Sequence, residues 1–413
     1  MAEQNTTGTP ARAAAVEALN AVLIEGAMLA ELPEPKLAAA DRARARRLTE
    51  EVLRRIEPAD RLLAPFLRKS PPMAVRNILR LAVVELALGA PAHGVVNSAV
   101  AIAKQNRKTA HLSGLINAVL RQIDPAAFEK LPVQKLPRWL RQSLVQTWGR
   151  EVVGAIEAAH AQTPPLDLTL RAGTAPEGEM LPTGSLRLRD AGQVSALAGY
   201  ESGDWWVQDA AAALPARLLA VKAGEEVLDL CAAPGGKTLQ MAAQGAKVTA
   251  LDISEHRAAR LRENLARTGL SAEIVVADAL DWQPAQKFDA ILLDAPCSAT
   301  GTIRRHPDLP FVKDGSEIGP LAQLQAQLLD RALGWLKPEG RLVFATCSLL
   351  PAEGEEQLKA ALERHPDFTA EKIELQGVDP AWWTAEQGLR LRPDYWAEKG
   401  GMDGFFCMRL KRR

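Results

Sequence analysis

Hydrophobic residues recur with two different periods along the chain, and the change of period divides it into regions. Between residues 10 and 123, apolar side chains recur three and four positions apart, which is typical of amphipathic helices. The clearest stretches cover 13–22, 48–56, 75–88, 95–103 and 112–120. Strand patterns are nearly absent there, and Pro- and Gly-containing breaks separate the stretches. This region is therefore predicted to be an all-α bundle.

From about residue 216 onward, short apolar strands alternate with helices. The predicted strands are EEVLDL (225–230), KVTALD, EIVVAD, FDAILLD, RLVFATC (341–347) and a last one, DGFFCMRL, near the sheet edge. Four helices are predicted between these strands. The first ends near Gln244, the second begins after a cap at Ser254, the third covers 321–336 and the fourth begins in PAEGEEQ. This alternation predicts a doubly wound, mostly parallel α/β sheet.

The segment between these two regions is mixed. A helix-like stretch ends near Ala161, a Thr-Pro-Pro break follows, and the alternating stretches LDLTLRAG and SLRLRD read as strands. We therefore predict a helical domain at 1–140, a small α/β connector at 141–215 and an α/β domain at 216–413. The pair Trp205 and Trp206 could stack on nucleic-acid bases, but core packing is the simpler interpretation.

The formal charge of the whole chain, which is zero, hides an uneven distribution. Residues 1–150 hold 22 basic and 13 acidic residues, a net charge of +9, so residues 151–413 carry −9. The first basic set is Arg42, Arg44, Arg46 and Arg47; the second basic set is Lys104, Arg107, Lys108, Arg121, Lys130, Lys135, Arg138 and Arg141. Each set alone fits a solvated helix face, but two sets in one basic region favour a phosphate-binding surface.

Targeting and metal-binding patterns are missing from the sequence. The first residues, MAEQNTTGTP, form no export signal, and the longest apolar stretch, 81–88, is interrupted by Glu85. The four cysteines lie far apart, without a CxxC pair or zinc-type spacing. We expect a monomeric cytoplasmic protein with free thiols, no membrane contact and no metal.

Polar residues that could bind a ligand fall at the predicted carboxyl ends of the strands, where ligands bind in open α/β sheets. Gly235 and Gly236 follow the first strand, Asp252 ends the second and Asp278 ends the third. Each alone also fits a strand-to-helix corner or a helix cap. Together they favour a nucleoside cofactor without a pyrophosphate, because the loop is neither GxGxxG nor a Walker A sequence. A nicotinamide dehydrogenase is correspondingly disfavoured.

Two cysteines occupy matching places after neighbouring strands, Cys297 in DAPCSATG and Cys347 in ATCSLLP. Cysteine is most often a small core residue, but a polar loop at a strand end is a poor place for burial. A nearby cation would make either thiol a competent nucleophile, and Lys237 and Arg304-Arg305 are candidates. Cys231 and Cys407, which flank or lie within strands, are predicted to be structural.

Several of these segments together resemble a known family. LDLCAAPGGKT, ALDIS, VVADA, DAPCSATGTIRRHPD, ATCS and DGFFCMRL are similar to the S-adenosylmethionine-dependent RNA cytosine-5 methyltransferases. RNILRLAVVEL and LINAVLRQI are similar to the antitermination factor NusB. The combination resembles the Fmu/Sun branch of the NOL/NOP/Sun family, which modifies small-subunit (16S) ribosomal RNA. The resemblance covers nearly the whole chain and implies a NusB-like RNA-binding domain followed by a Rossmann-like methyltransferase.

The resemblance also implies roles for individual residues. Cys347 would add to carbon 6 of cytosine, and Cys297 would assist the later elimination; the related DNA enzymes use the Pro-Cys cysteine as nucleophile instead. Asp294 would hold the cytosine N3 or amino group. S-adenosylmethionine would bind along Cys231, Ala232, Ala233, Pro234, Gly235, Gly236 and Lys237, with Asp252 on the ribose, Asp278 on the adenine and Asp294 near the methionine part.

Two other functions remain compatible with the sequence. The same chemistry could act on transfer RNA, because the catalytic region reads the base rather than the class of RNA. A non-catalytic RNA-binding or antitermination factor with a vestigial methyltransferase domain is the alternative from another class. In either enzymatic case the cytosine must leave its stack to reach the pocket, so looped or locally opened RNA is the expected substrate.

Overall fold

The computed structural model describes residues 8–171, 173–189 and 191–413. The chain divides into two compact units. The first, the helical unit, contains the residues up to Thr163 together with Ile303–Asp314. The second, the sheet unit, contains Pro164–Thr302 and Gly315–Arg413. The boundaries predicted at 140 and 215 stay a prediction; the segment 141–215 is shared between the two units.

The α-helices are, in chain order, α1 (Thr9–Asn20), α2 (Ala39–Leu53), α3 (Ile56–Leu63), α4 (Met73–Ala87), α5 (Ala92–Gln105), α6 (Ser113–Leu120), α7 (Arg138–His160), α8 (Leu214–Leu219), α9 (Gly236–Ala243), α10 (Glu255–Thr268), α11 (Leu309–Val312), α12 (Ile318–Gly334) and α13 (Glu355–Arg364). The strands are β1 (Leu166–Leu170), β2 (Glu179–Met180), β3 (Leu186–Leu188), β4 (Trp205–Val207), β5 (Glu226–Leu230), β6 (Lys247–Asp252), β7 (Glu273–Val276), β8 (Phe288–Asp294), β9 (Leu336–Thr346), β10 (Phe368–Ala370), β11 (Leu389–Leu391) and β12 (Phe405–Arg412).

The helical unit is the predicted all-α bundle. Helix α4 is buried along almost its whole length and packs against α1, α2 and α5 around a core that includes Leu19, Val52 and Leu79. A buried ion pair joins α1 to α4: the Arg12 guanidinium donates to both carboxyl oxygens of Glu85, at 2.6 and 2.9 Å. This two-point geometry satisfies both charges inside the bundle, where an unpaired charge would be strongly destabilising.

The segment Ile303–Asp314 belongs to the helical unit although it directly follows the Cys297 loop in the sequence. Phe311 packs against the core of the bundle, and the Asp308 carboxylate accepts a 2.8 Å hydrogen bond from the Leu29 backbone N–H. The Arg54 side chain donates to the carbonyl oxygen of Arg304 at 2.7 Å. The motif DAPCSATGTIRRHPD, which is continuous in sequence, is therefore divided between the two units.

A small antiparallel sheet with the order β2-β3-β1-β4 begins the sheet unit. A buried ion pair between Arg187 and Asp167, at 2.7 Å, crosses its β1–β3 ladder. Trp205 and Trp206 are both buried, and their indole N–H groups donate to Ala198 O and Gln208. The core-packing interpretation of this tryptophan pair is confirmed.

The large sheet has the order β10-β12-β9-β8-β5-β6-β7, with β11 also paired to β12. Its five strands from β9 to β7 are parallel, and β12 runs antiparallel to β9. The predicted α/β fold is thus confirmed, and the last strand lies one strand inside the edge. Side chains alternate on β8: Ile291 and Leu293 join the core beside α12 and α13, whereas Ala290 and Leu292 join the core beside α8.

This strand order places the change of winding direction between β5 and β8. On one side of β5 the chain proceeds to β6 and β7, and on the other to β8 and β9. Loops therefore diverge at the carboxyl ends of β5 and β8 and leave a crevice there, which is where doubly wound sheets bind their ligands.

Candidate active site

The loop after β5 is held by backbone hydrogen bonds and turns sharply into α9. Backbone N–H groups of Ala232 and Ala233 donate to Leu251 O and to the Asp252 carboxylate, both at 3.1 Å. Gly235 has φ of +104°, a conformation that a residue with Cβ adopts only with strain, and α9 begins at the next residue. Among the described residues no side chain caps the start of this helix, so its first N–H groups are available to a ligand.

The acidic residues at the ends of β6 and β7 differ in accessibility. Asp252 is only 2% exposed, because the Arg257 guanidinium lies 2.6 Å from its Oδ2. Asp278 is exposed, and its carboxylate accepts from the Leu280 backbone N–H at 2.8 Å. Ile253 directly follows Asp252 and is 66% exposed, which is unusual for a large apolar side chain.

These strand ends fit a nucleoside. Ile253 offers an apolar surface on which an adenine ring can lie. The Asp278 carboxylate follows β7, the strand next to β6, and so lies at a neighbouring strand end. The Asp252 carboxylate can accept ribose hydroxyls once Arg257, whose side chain is half exposed on α10, turns aside. Ile253 was not predicted as a site residue, although an isoleucine directly after a strand-end aspartate indicates an apolar group beside the predicted ligand.

A partly buried ion pair joins the predicted cofactor loop to the end of strand β8. Lys237 Nζ donates to Asp294 Oδ2 at 2.7 Å and lies 5.5 Å from the centre of the Phe405 ring. Burial disfavours the charged amine, but the charge of Asp294 and this hydrogen bond outweigh it, so the pKa of Lys237 is raised. The remaining carboxyl oxygen of Asp294 makes no hydrogen bond within the described part of the chain, and about a third of the side chain is exposed.

The two predicted catalytic cysteines meet: Sγ of Cys297 lies 3.4 Å from Sγ of Cys347. The pKa of Cys297 is raised well above its usual value, first by this contact and then by burial. This shift favours the protonated form of Cys297, and the two sulfur atoms share one hydrogen bond. Lys237 is the cation attracted to Cys347, and Arg304 and Arg305 lie in the segment that belongs to the helical unit.

The other two cysteines are in different surroundings. Burial raises the pKa of both Cys231 and Cys407 to about 12. Cys407 is completely buried within β12, and all four thiols are free. A protonated, buried thiol is a poor nucleophile, which agrees with the structural role predicted for this pair.

The loops that carry Cys297 and Cys347 are held together by several hydrogen bonds. The Gly301 N–H donates to Cys347 O at 2.9 Å, and a Cβ on Gly301 would lie 2.0 Å from Gly404 O. The buried carboxylate of Glu353 accepts from Ser298 and from Ser348. Glu353 was predicted only as part of a helix start, although the serine that follows each of the two cysteines points to a shared partner.

The structure separates the two basic sets of the helical unit. In the first basic set, Arg42, Arg44 and Arg46 each lie within 3.6 Å of a glutamate carboxylate. In the second basic set all members are exposed except Arg141, which is paired with Glu157 at 2.7 Å. Exposed cations without acidic partners are the ones that can exchange counterions for phosphates, so the second set is the better phosphate-binding surface.

No helix within the described ranges is long and apolar enough to cross a membrane. Among the same residues, no group of three or more His, Cys, Asp or Glu side chains is arranged to hold a metal ion.

The chain is similar to known proteins over nearly its whole length. Residues 216–411 match the family described as 16S rRNA methyltransferase RsmB/F, and residues 9–125 match the NusB family. The ribosomal RNA small subunit methyltransferase B of Klebsiella pneumoniae is 36% identical, covering 97% of this chain and 98% of that protein. The protein of the same name from Pseudomonas putida is 37% identical with the same coverage. The solved structure of PH0851 superposes with a TM-score of 0.75 at 22% identity, covering 98% of this chain and 99% of that one.

Proposed function

Because this chain belongs to the ribosomal RNA small subunit methyltransferase B family, we propose that it methylates carbon 5 of a specific cytosine in 16S ribosomal RNA through a covalent Cys347 adduct. It is an S-adenosylmethionine-dependent RNA methyltransferase. The observation that carries the proposed covalent mechanism is the contact between the two thiols beside the Lys237–Asp294 ion pair.

A thiolate is needed because carbon 5 of cytosine is a weak nucleophile. When Cys347 Sγ bonds to carbon 6, the ring becomes an enamine whose carbon 5 can attack an electrophile. S-adenosylmethionine, when bound, supplies the electrophilic methyl group. Water then accepts the proton from carbon 5, the electron pair of that C–H bond re-forms the C5–C6 double bond, and the Sγ–C6 pair leaves on sulfur, which frees Cys347.

The groups around Cys347 fit this sequence of steps. The sulfur atoms of Cys297 and Cys347 lie in hydrogen-bond contact, and the Lys237 ammonium lies close enough to Cys347 to interact with its sulfur. We assign the base-holding role to Asp294, because Lys237 holds one carboxyl oxygen and leaves the other available for the cytosine amino group. Cys297 lies close enough to Cys347 to assist the cleavage of the adduct.

The cofactor is assigned to the β5–α9 loop, from Cys231 to Lys237, with Asp252, Asp278 and Asp294 at the adjoining strand ends. RNA affinity is assigned to the second basic set of the helical unit. Apart from Arg141, these exposed cations form no ion pair with the described residues, which suits a phosphate backbone. A NusB-type unit joined to a methyltransferase favours ribosomal RNA as the substrate.

The test compares single cysteine variants on purified 16S ribosomal RNA and, separately, on transfer RNA. The wild-type protein is expected to form 5-methylcytidine in 16S RNA, measured by mass spectrometry of digested nucleosides. Cys347→Ala is expected to lose both methyl transfer and the covalent protein–RNA complex on denaturing gels, whereas Cys297→Ala accumulates that complex. Cys407→Ala removes a buried thiol of β12 that has no role in the proposed chemistry and serves as the matched control, with activity retained.

Each assignment can fail separately. Methyl transfer by Cys347→Ala would exclude Cys347 as the nucleophile, and normal turnover without complex accumulation in Cys297→Ala would remove its role in elimination. Methylation of transfer RNA alone would replace the substrate. A wild-type protein that binds 16S RNA and forms no 5-methylcytidine in it would refute the catalytic proposal.

A further inference from the structure

One carboxyl group outside the assigned catalytic and cofactor residues contacts both cysteine loops. Glu353 is completely buried, and its two carboxyl oxygens accept four hydrogen bonds. Oε1 accepts from the Ser298 backbone N–H at 2.8 Å and from Gln325 Nε2 at 3.1 Å. Oε2 accepts from the hydroxyl groups of Ser298 and Ser348, at 2.5 and 2.6 Å. These two serines directly follow Cys297 and Cys347 in the sequence.

We propose that Glu353 is a positioning residue that sets the distance between the Cys297 and Cys347 thiols by holding the serine after each of them. The role in turnover rests on the proposed function, because it concerns the thiols that form and release the adduct. The geometric part, the control of the distance between the two sulfur atoms, does not depend on that chemistry.

The four donors explain why a carboxylate is suited to this position. A buried carboxylate is unfavourable unless its lone pairs are satisfied, and here each oxygen accepts two hydrogen bonds. The donors come from three separated parts of the chain: the Cys297 loop, helix α12 and the Cys347 loop. An alanine could link none of them, and an amide would place N–H groups where two hydroxyl groups now donate.

Further hydrogen bonds extend the network to the backbone of both loops. Gln325 Nε2 also donates to Pro296 O at 2.8 Å, just before Cys297. The Thr346 hydroxyl donates to the backbone carbonyl of Glu353 at 2.8 Å, just before Cys347. Glu353 and Gln325 thus hold the residues on both sides of each cysteine, which restricts where each sulfur can lie.

Other contacts keep the loops close without Glu353. The Gly301 N–H donates to Cys347 O, and the Leu349 N–H donates to the Thr300 hydroxyl, both at 2.9 Å. Loss of the carboxylate is therefore expected to shift the sulfur atoms rather than to unfold the loops. Glu353 touches neither sulfur and acts through the serines, so its effect is on geometry, and a misplacement of about 1 Å costs roughly 100-fold in rate.

The experiment uses the full-length protein with Glu353→Gln, Glu353→Ala and Ser348→Ala. Glu225→Gln is the matched control: it removes a largely buried ion pair with Arg341, 2.6 Å long, at the opposite end of the sheet. The first readout is the rate at which diamide joins Cys297 to Cys347, measured by mass spectrometry of the peptides. The second is kcat and KM for 16S RNA methylation, and the third is the melting temperature.

A positioning role predicts that Glu353→Ala lowers the disulfide rate at least about 10-fold and kcat roughly 100-fold, with KM for RNA changed less than about 3-fold. Glu353→Gln should lie between alanine and wild type, because the amide keeps one acceptor oxygen. Ser348→Ala frees one loop only and should have a smaller effect. When Ser348→Ala is combined with Glu353→Gln, the second substitution should add little, because both remove the same hydrogen-bond link. Glu225→Gln should lower the melting temperature alone.

The opposite results would overturn the proposal. If the Glu353 variants lose melting temperature as Glu225→Gln does, yet keep the wild-type disulfide rate and kcat, Glu353 stabilises the fold only. If Glu353→Ala does not fold, Glu353→Gln and Ser348→Ala decide by the same criterion. If wild type proves inactive on 16S RNA, the proposed function fails, but the disulfide rates still decide whether Glu353 positions the thiols.

Discussion

The pH dependence of stability should be governed in part by Asp229, a buried carboxyl group at the centre of the large sheet. Asp229 lies in β5 and is completely buried; the Thr238 hydroxyl donates to one of its oxygens at 2.5 Å, and the other has no partner among the described residues. Burial raises the pKa of Asp229 to about 7, more than the hydrogen bond from Thr238 and the charge of Lys237 lower it.

The sign and size of the effect follow from this pKa. An unfolded aspartate has a pKa of about 3.9, so between pH 4 and 7 the folded state binds the extra proton. The free energy of unfolding therefore falls as the pH rises through that interval and levels off above pH 7. A difference of about 3 pKa units at 1.36 kcal/mol each amounts to about 4 kcal/mol at pH 8.

Asp229→Asn keeps the shape of the side chain and removes the ionisation. The variant should lie within about 1 kcal/mol of wild type at pH 4.5 and be more stable by about 4 kcal/mol at pH 8. For a unit of this size that corresponds to a rise of roughly 10 °C in melting temperature, measured by calorimetry at pH 4.5, 6, 7 and 8. If the melting temperatures of wild type and variant changed in parallel with pH across this range, ionisation of Asp229 would not destabilise the folded state, and the reasoning would be wrong.

Asp289→Asn is the matched control, because the direction of its effect is opposite. Burial opposes ionisation of Asp289, but hydrogen bonds from Lys337 and the Glu226 backbone outweigh it and lower its pKa. Its ion pair with Lys337, at 2.8 Å, stabilises the fold at neutral pH and is lost as the pH falls below the usual aspartate range. The substitution should therefore lower stability at pH 7 and have little effect near pH 3.

Two further predictions concern binding. Asp252→Ala should weaken S-adenosylmethionine binding at least about 10-fold in calorimetry, because hydrogen bonds to a charged group contribute about 1.5–3 kcal/mol; unchanged affinity would remove Asp252 from the ribose site. Replacing Lys104, Arg107 and Lys108 together by alanine should reduce the slope of log affinity for RNA against log salt by about 2 to 3, since each lost phosphate contact changes it by about 0.7–0.9. Alanines at the ion-paired Arg42, Arg44 and Arg46 of the first basic set should leave that slope nearly unchanged, and equal effects of both triple replacements would refute the assignment.

Much of the fold followed from local patterns. The 3.6-residue period predicted the helices of the bundle, and the apolar runs predicted β6 and β8 with the bounds they have in the structure. These patterns succeed because an amphipathic helix or a buried parallel strand must carry its apolar residues at fixed spacing wherever it packs. The Ser254 cap was predicted for the same reason, since a helix start needs an acceptor for its free N–H groups.

Part of the candidate site also followed from local sequence, through the rule that ligands bind at the carboxyl ends of parallel strands. That rule gathers Asp252, Asp278, Asp294, Cys297 and Cys347 without any knowledge of side-chain contacts. It cannot say which of them touch. Asp252 and Asp278 occupy neighbouring strand ends, yet one is covered by Arg257 and the other is exposed, because accessibility depends on the rotamer of a side chain on α10.

The sequence by itself determined the order of helices and strands, the position of the cysteines at strand ends and the uneven charge of the two halves. Only the tertiary structure decided that Lys237 pairs with Asp294, that Glu353 holds the serines after both cysteines, and that Ile303–Asp314 belongs to the helical unit. The physical reason is range. Backbone periodicity acts between residues a few positions apart. The contacts of Lys237 with Asp294, of Glu353 with Ser298 and of Arg304 with Arg54 join residues separated by tens to hundreds of positions, and their meeting depends on how the whole chain packs.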